Sequence, residues 1–138
     1  MESLDHVRAI FRDAPFIADL GIEPLSMGAG RCETELAIQP RMLQRTGQVH
    51  AGVVTTLADH TAGAAAQSVM PAGSIAITAE LKLSLLRPAR GERLACSAVV
   101  LKAGRSLVFA ESEVYALEGG ARTLVAKLSA TLAVTRPA

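Results

Sequence analysis

Hydrophobic positions along the chain change their period twice, and those changes divide it into elements. Leu4, Val7, Ile10 and Phe11 recur at helical spacing, which predicts a short amphipathic helix over residues 3–13 that Ser3 is placed to cap. Ile17 to Leu20 and a Gly21 turn lead to an edge strand around Pro24. From Arg31 to Ile38 the period is two, with Cys32, Thr34, Leu36 and Ile38 alternating with Arg31, Glu33, Glu35 and Ala37, so a strand is predicted, entered through Gly28-Ala-Gly30. Pro40 to Gly47 is a loop. Ala51 to Met70 is apolar on most sides, long enough for a buried helix, and stopped by Pro71 and Gly73. The period then returns to two: Ile75, Ile77, Leu81, Leu83 and Leu85 alternate with Thr78, Glu80, Lys82 and Ser84, predicting a strand from Ser74 to Leu86 with one wet face. Turn residues at 88–91, 102–105 and 118–121 separate three further strands, Leu94 to Leu101, Leu107 to Ala116 and Leu124 to Val134, read here as a four-strand meander.

An antiparallel sheet of this size must cover one face, and only the helix at 51–70 is long and apolar enough to do it. The expected class is α+β, with the sheet curled around that helix. Length agrees: 138 residues, half of them hydrophobic, make one domain over 1–138 with a substantial core.

Charge narrows the partners. The formal net charge is +1 with Lys and Arg scattered, so no basic face points to nucleic acid or an anionic membrane. The charged start lacks the apolar stretch of a signal peptide, and the longest uncharged run is too rich in Ala, Gly, Thr and Ser to read as membrane-spanning. Cys32 and Cys96 fit no metal spacing and read as core residues of a cytoplasmic protein. No metal is expected, and His6 is given no chemistry.

Between Arg45 and Glu80 the one charged side chain is Asp59, in the middle of the small, apolar helix. Two roles are open: a structural acid bonded to Thr55 or Thr56 or paired with His60, and a general base or nucleophile. His60 points about 100° away around the helix, which argues against an Asp-His dyad. Where the helix begins, N–H groups lack partners and the macrodipole is positive, so Ala51 and Gly52 present either a solvated helix end or donors for a developing oxyanion. His50 reads as a turn residue rather than an acid. Asp59 lies about 12 Å along the axis from Ala51, too far for one small carbonyl to touch both. If both serve one reaction, the acid meets the donors of a second copy of the chain in a two-fold dimer.

Val49-His50-Ala51-Gly52-Val53, then Thr56-Leu57-Ala58-Asp59, then Leu83-Ser84-Leu85-Leu86-Arg87-Pro88, together with the element order, resemble the hotdog-fold acyl-CoA thioesterases, in the branch like the phenylacetate-pathway thioesterase. The resemblance implies a homodimer, often a dimer of dimers, that hydrolyses a coenzyme A thioester without a cofactor, coenzyme A being part of the substrate. By position it implies Asp59 as the catalytic carboxylate and the Ala51 N–H of the other subunit as oxyanion donor. Gln44 falls where the family positions water or carbonyl. Thr78, after a one-residue offset, falls near a hydroxyl that supports the water. His50 and Gly52 would flank the substrate, and Arg87, Arg90, Lys102 and Arg105, otherwise solvated surface charges, would meet the coenzyme A phosphates. The acyl pocket would involve the segment from Met42 to Leu57. Many members read His-Gly-Gly rather than His-Ala-Gly, and many carry Asn rather than Gln at position 44, so base and nucleophile both stay open for Asp59. The reading from another class is a non-catalytic acyl-CoA-binding module. A hotdog hydratase would want a His with its own acidic partner, a spacing that His50 and His60 do not show.

Overall fold

The computed structural model describes residues 4–136, so the Ser3 cap lies outside the described residues. Helices α1 (Leu4–Arg12) and α2 (Pro15–Leu20) precede strands β1 (Glu23–Gly28) and β2 (Arg31–Ala37). A 3-10 turn at Pro40–Met42 leads towards helix α3 (Ala51–Gln67), and β3 (Ile75–Leu85), β4 (Arg93–Ala103), β5 (Leu107–Glu118) and β6 (Ala121–Thr135) complete the chain. α2, which the sequence pattern left unassigned, starts on Pro15 and ends on Gly21 in a left-handed cap whose N–H reaches back to Ile17 and Ala18.

The six strands form one antiparallel sheet in the order β1-β2-β4-β5-β6-β3. The expected four-strand meander is therefore partly wrong: β4, β5 and β6 follow one another, but β3 pairs with β6 at the far edge. The reason is geometric. α3 crosses the sheet face, so the chain leaving it resumes on the opposite side from β2. Alternate residues of every inner strand face α3, including Cys32, Leu36, Leu94, Val108, Val114, Leu128 and Leu132, all essentially buried. α3 offers them Val54, Leu57, Ala58, Ala62, Ala65 and Ala66, whose small side chains let backbone lie close to the sheet. This is the α+β architecture expected, with α3 wrapped by the sheet.

A buried hydroxyl cluster ties the middle of α3 to the sheet. Thr61 Oγ1 donates to the Leu57 carbonyl and lies 2.8 Å from Thr34 Oγ1, and Ser112 Oγ donates to the Ala58 carbonyl at 2.7 Å. Cys96 sits beside these hydroxyls, and burial pushes its thiol up to about 12 even though they pull it down. Cys32 is likewise raised to about 12, by burial first and then by Cys96 and Glu33. Both cysteines are core residues.

The register of β3 departs from the period-two reading. An irregularity between Thr78 and Glu80 inserts one residue, Ala79, against β6. Before it, Ala76 and Thr78 pair with the inward residues Val134 and Leu132; after it, Leu81, Leu83 and Leu85 pair with the inward Ala130, Leu128 and Ala126. The strand thus has no single wet face along its length. Thr78 faces α3, while Ile75 and Ile77 stand on the outside at 47% and 51% exposure.

Candidate active site

Asp59 emerges from α3 towards the start of β3. Its Oδ1 accepts a 2.8 Å hydrogen bond from Thr78 Oγ1, a contact that depends on the bulge, because without the extra residue Thr78 would share the face of Glu80 and Lys82. Two of the three structural partners open to Asp59 on the sequence are occupied elsewhere: Thr55 and Thr56 donate one turn back, to the carbonyls of Ala51 and Gly52. Asp59 and Thr78 line a cavity of about 560 Å³ with Ile10, Ala14, His60 and Gly63 among its other walls.

His60 sits at that cavity's α1 side, its ring edge-on to Phe11 at 4.7 Å between centroids. Among the described residues its buried Nε2 has no hydrogen-bond partner. Burial lowers the imidazole's pKa below its ordinary 6.5, with Asp59 and the Ile10 backbone pulling the other way; His6 of α1 and Asp13 just beyond it face the same cavity. The sign follows directly. Above pH 6.5 both folded and unfolded chains carry His60 neutral, and as pH falls the unfolded chain takes the proton first, so stability is lost as pH drops through the folded pKa. The urea midpoint should therefore fall more between pH 7.5 and pH 5 in the wild type than in His60→Leu; equal falls would show that His60 carries no share of the acid sensitivity.

The start of α3 is built differently. His50 is the N-cap, extended at φ −62°, ψ 139°, and its Nδ1 accepts the Gly52 N–H at 2.8 Å. A Cβ at position 52 would lie 3.0 Å from that nitrogen, so the cap favours Gly there. One of the two donors suggested by the sequence is thus engaged within the chain. Among the described residues no hydrogen bond reaches the Ala51 N–H. It stands at the first helical position, at the positive end of the macrodipole.

The segment before α3 is more ordered than a plain loop. Leu43 bridges Val49, Gln44 N–H donates to Gln48 O, and His50 N–H and Val49 N–H bond the carbonyls of Met42 and Ala89. Gln44 and Ala51 line a second cavity of about 260 Å³, with Val54, Leu85, Leu86 and Arg87. Arg87 is held there by a 2.8 Å bond from its Nη1 to the Leu124 carbonyl.

The candidate residues therefore fall into two half-sites on one chain, Asp59 with Thr78 and Ala51 with Gln44. The basic residues divide as well. Arg87 and Arg90 lie before β4 and Lys102 and Arg105 beyond or at its end, and a strand of 11 residues separates the two groups by about 33 Å. Position within a single chain does not bring all four to one ligand. None of residues 42–57, the segment expected to form the acyl pocket, lines the larger cavity, and the residues that the sequence reading missed there are Gly63 and Gln67, whose signal is only their helical spacing from Asp59.

Residues 46–123 match the model of the thioesterase superfamily. The chain belongs to that superfamily. Among solved structures, a thioesterase family protein of Silicibacter pomeroyi is 36% identical, with 95% of this chain and 96% of that one covered at a TM-score of 0.93. A Ralstonia eutropha protein whose description proposes a thioesterase related to phenylacetic acid degradation is 25% identical, covering 93% and 98%, at a TM-score of 0.81. A Halobacterium salinarum protein whose name proposes an esterase is 41% identical over 71 residues, which span 49% of this chain and 46% of that protein. This thioesterase-superfamily chain has the curved sheet and enclosed helix of its hotdog neighbours. Among its described residues no helix is long and apolar enough to cross a membrane.

Proposed function

We propose that this member of the superfamily hydrolyses acyl-CoA thioesters at a site shared by two copies of the chain. The observation that carries the reading is the pairing of a Thr78-held Asp59 in one cavity with a hydrogen-bond-free Ala51 N–H in another. The first cavity opens beside the start of β3 and the second beside its end. β3 is an edge strand with exposed apolar residues, Ile75, Ile77, Leu81 and Leu85. Antiparallel pairing of β3 with itself about a two-fold axis sets the start of one copy against the end of the other. Each Asp59 then faces the Ala51 and Gln44 of the second copy. The same operation carries the turn holding Lys102 and Arg105 towards the Arg87 and Arg90 end of that copy, so cations separated within one chain come together for a coenzyme A phosphate. A further pairing into a dimer of dimers belongs to the same reading.

In this reading the thioester carbonyl oxygen accepts the Ala51 N–H, and the α3 dipole favours the charge that develops there. Asp59, oriented by Thr78, takes a proton from water as the water attacks the carbonyl carbon. Collapse of the tetrahedral intermediate breaks the C–S bond, and the proton returns from Asp59 to the departing thiolate. Direct attack by the carboxylate would instead pass through an anhydride that water then cleaves. Coenzyme A leaves as product and no cofactor is used. Such chemistry suits a cytoplasmic setting, where acyl-CoA is made and consumed.

The test is thiol release from acetyl-, octanoyl-, palmitoyl- and an aryl acyl-CoA. Turnover with a preferred acyl group is expected. Binding of acyl-CoA by calorimetry with no thiol release from any of the four would replace the enzyme by a binding module.

A further inference from the structure

Gly63 stands in the interior of α3, where glycine costs helix stability relative to alanine. A glycine there is usually excused by backbone packed against it, and here that excuse is missing. A Cβ at position 63 would meet only Leu132 Cδ2, at 3.8 Å, an ordinary contact. Among the described residues no other side chain comes within 4 Å of that Cβ. The open space there is the 560 Å³ cavity, which Gly63 lines one turn beyond Asp59.

The cavity's shape follows from the helix. Asp59, Gly63 and Gln67 are four residues apart and so share one face of α3, tracing a groove about 12 Å long at 1.5 Å per residue. Ile10 and Ala14 roof it, and Ala76 and Leu132 form the wall opposite. At its far end the Gln67 carboxamide is fixed at both atoms: Nε2 donates to the Ser74 carbonyl at 2.7 Å and Oε1 accepts the Ala76 N–H at 3.0 Å. One bond at each atom ties the end of α3 to the start of β3, so the side chain closes the groove as a rigid stop.

We infer that this groove takes the acyl group, that its substrates carry apolar acyl groups of medium length, and that Gly63 sets the bulk accepted about 6 Å along the groove from Asp59. The inference rests on the proposed thioester hydrolysis and deepens it. A volume of 560 Å³ falls in the range of about 300 to 1,000 Å³ typical of sites that enclose whole small molecules. An acetyl group would leave most of it empty, and a palmitoyl chain would run past Gln67. The polar residues His6, Asp13 and His60 stand towards the α1 side, leaving the path along Gly63 apolar.

The experiment compares wild type, Gly63→Ala and Gly63→Leu with butyryl-, octanoyl- and palmitoyl-CoA. Wild type should favour octanoyl-CoA over palmitoyl-CoA by at least tenfold in kcat/KM. Gly63→Ala should raise Tm by about 3 °C, because alanine is the better helix former and finds no clash. It should also lower octanoyl kcat/KM about threefold while leaving butyryl-CoA within twofold. Gly63→Leu should lower octanoyl kcat/KM tenfold or more with butyryl-CoA still turned over. An unchanged chain-length profile in Gly63→Ala, or an equal fall on all three substrates, would overturn the inference, and the alanine variant decides it even if the leucine variant does not fold. Should wild type release no thiol at all, the hydrolytic reading fails by itself, and calorimetry then judges the groove. Weaker octanoyl-CoA binding by Gly63→Leu with coenzyme A binding unchanged would support it, and equal octanoyl-CoA affinity would refute it.

Discussion

Asp59→Asn should lower kcat by roughly 10²- to 10⁴-fold, the range that a positioned general base contributes. The amide is nearly the same size as the carboxylate, and its oxygen can still accept the Thr78 hydroxyl that Asp59 now holds at 2.8 Å. Packing against the cavity is unchanged, so Tm and oligomeric state should stay close to wild type. What the variant loses is the ability to take a proton from water or to attack the thioester itself, and an effect confined to kcat marks an interaction that matters in the transition state. Thiol release at fixed octanoyl-CoA, with circular dichroism as the folding control, checks this. Wild-type turnover by the folded variant would remove Asp59 from the chemistry.

The second large effect is expected from Ala51→Pro. Proline is the favoured residue at the first position of a helix, and His50 already has the extended conformation that precedes a proline comfortably. The Ala51 carbonyl keeps its bond from Thr55. The substitution therefore deletes one backbone N–H that bonds nothing among the described residues, and little else. Loss of a single oxyanion donor costs roughly 10² to 10³ in kcat. Unimpaired turnover would assign the oxyanion to another donor. Mixing the two inactive variants adds a sharper result. After subunit exchange, a pair made of one Asp59→Asn chain and one Ala51→Pro chain holds one intact site and one doubly broken site. Random pairing should restore about a quarter of wild-type activity. A site contained within one chain would show no recovery.

Most of the architecture is legible in the sequence because most elements obey one period. α3, β2 and β5 bury the positions that their spacing selects, and the glycine turns fall between the strands that they separate. What escaped was non-local. That β3 lies against β6 rather than β4 depends on where α3 delivers the chain, which no residue pattern encodes. The extra residue at Ala79 is invisible because Ile75, Ile77, Leu81, Leu83 and Leu85 keep one parity on both sides of it. Only pairing with β6 reveals that the first two lie on the opposite face of the sheet from the others. The same applies to the candidate site. Asp59 stands out as the lone acid in an apolar helix, whereas Gly63 reads like any small residue in an Ala-rich run, and only the empty volume beside it sets it apart. The two donors at the start of α3 looked alike, and it is His50 that distinguishes them by occupying Gly52.

The unpaired edge of β3 gives protein concentration a direct role. A single copy exposes that edge with Leu85 at 56% and Ile77 at 51%, and holds Asp59 in one hollow and the Ala51 N–H in another. In the proposed dimer, pairing along β3 would hide the edge and assemble both reaction centres in one event, so folding stability and turnover would respond to the same equilibrium. Dilution below the dissociation constant should make the rate fall with the square of enzyme concentration, and the melting temperature should slide downwards with it. A dilute stock would look both inactive and fragile, and concentrating it would restore both properties together.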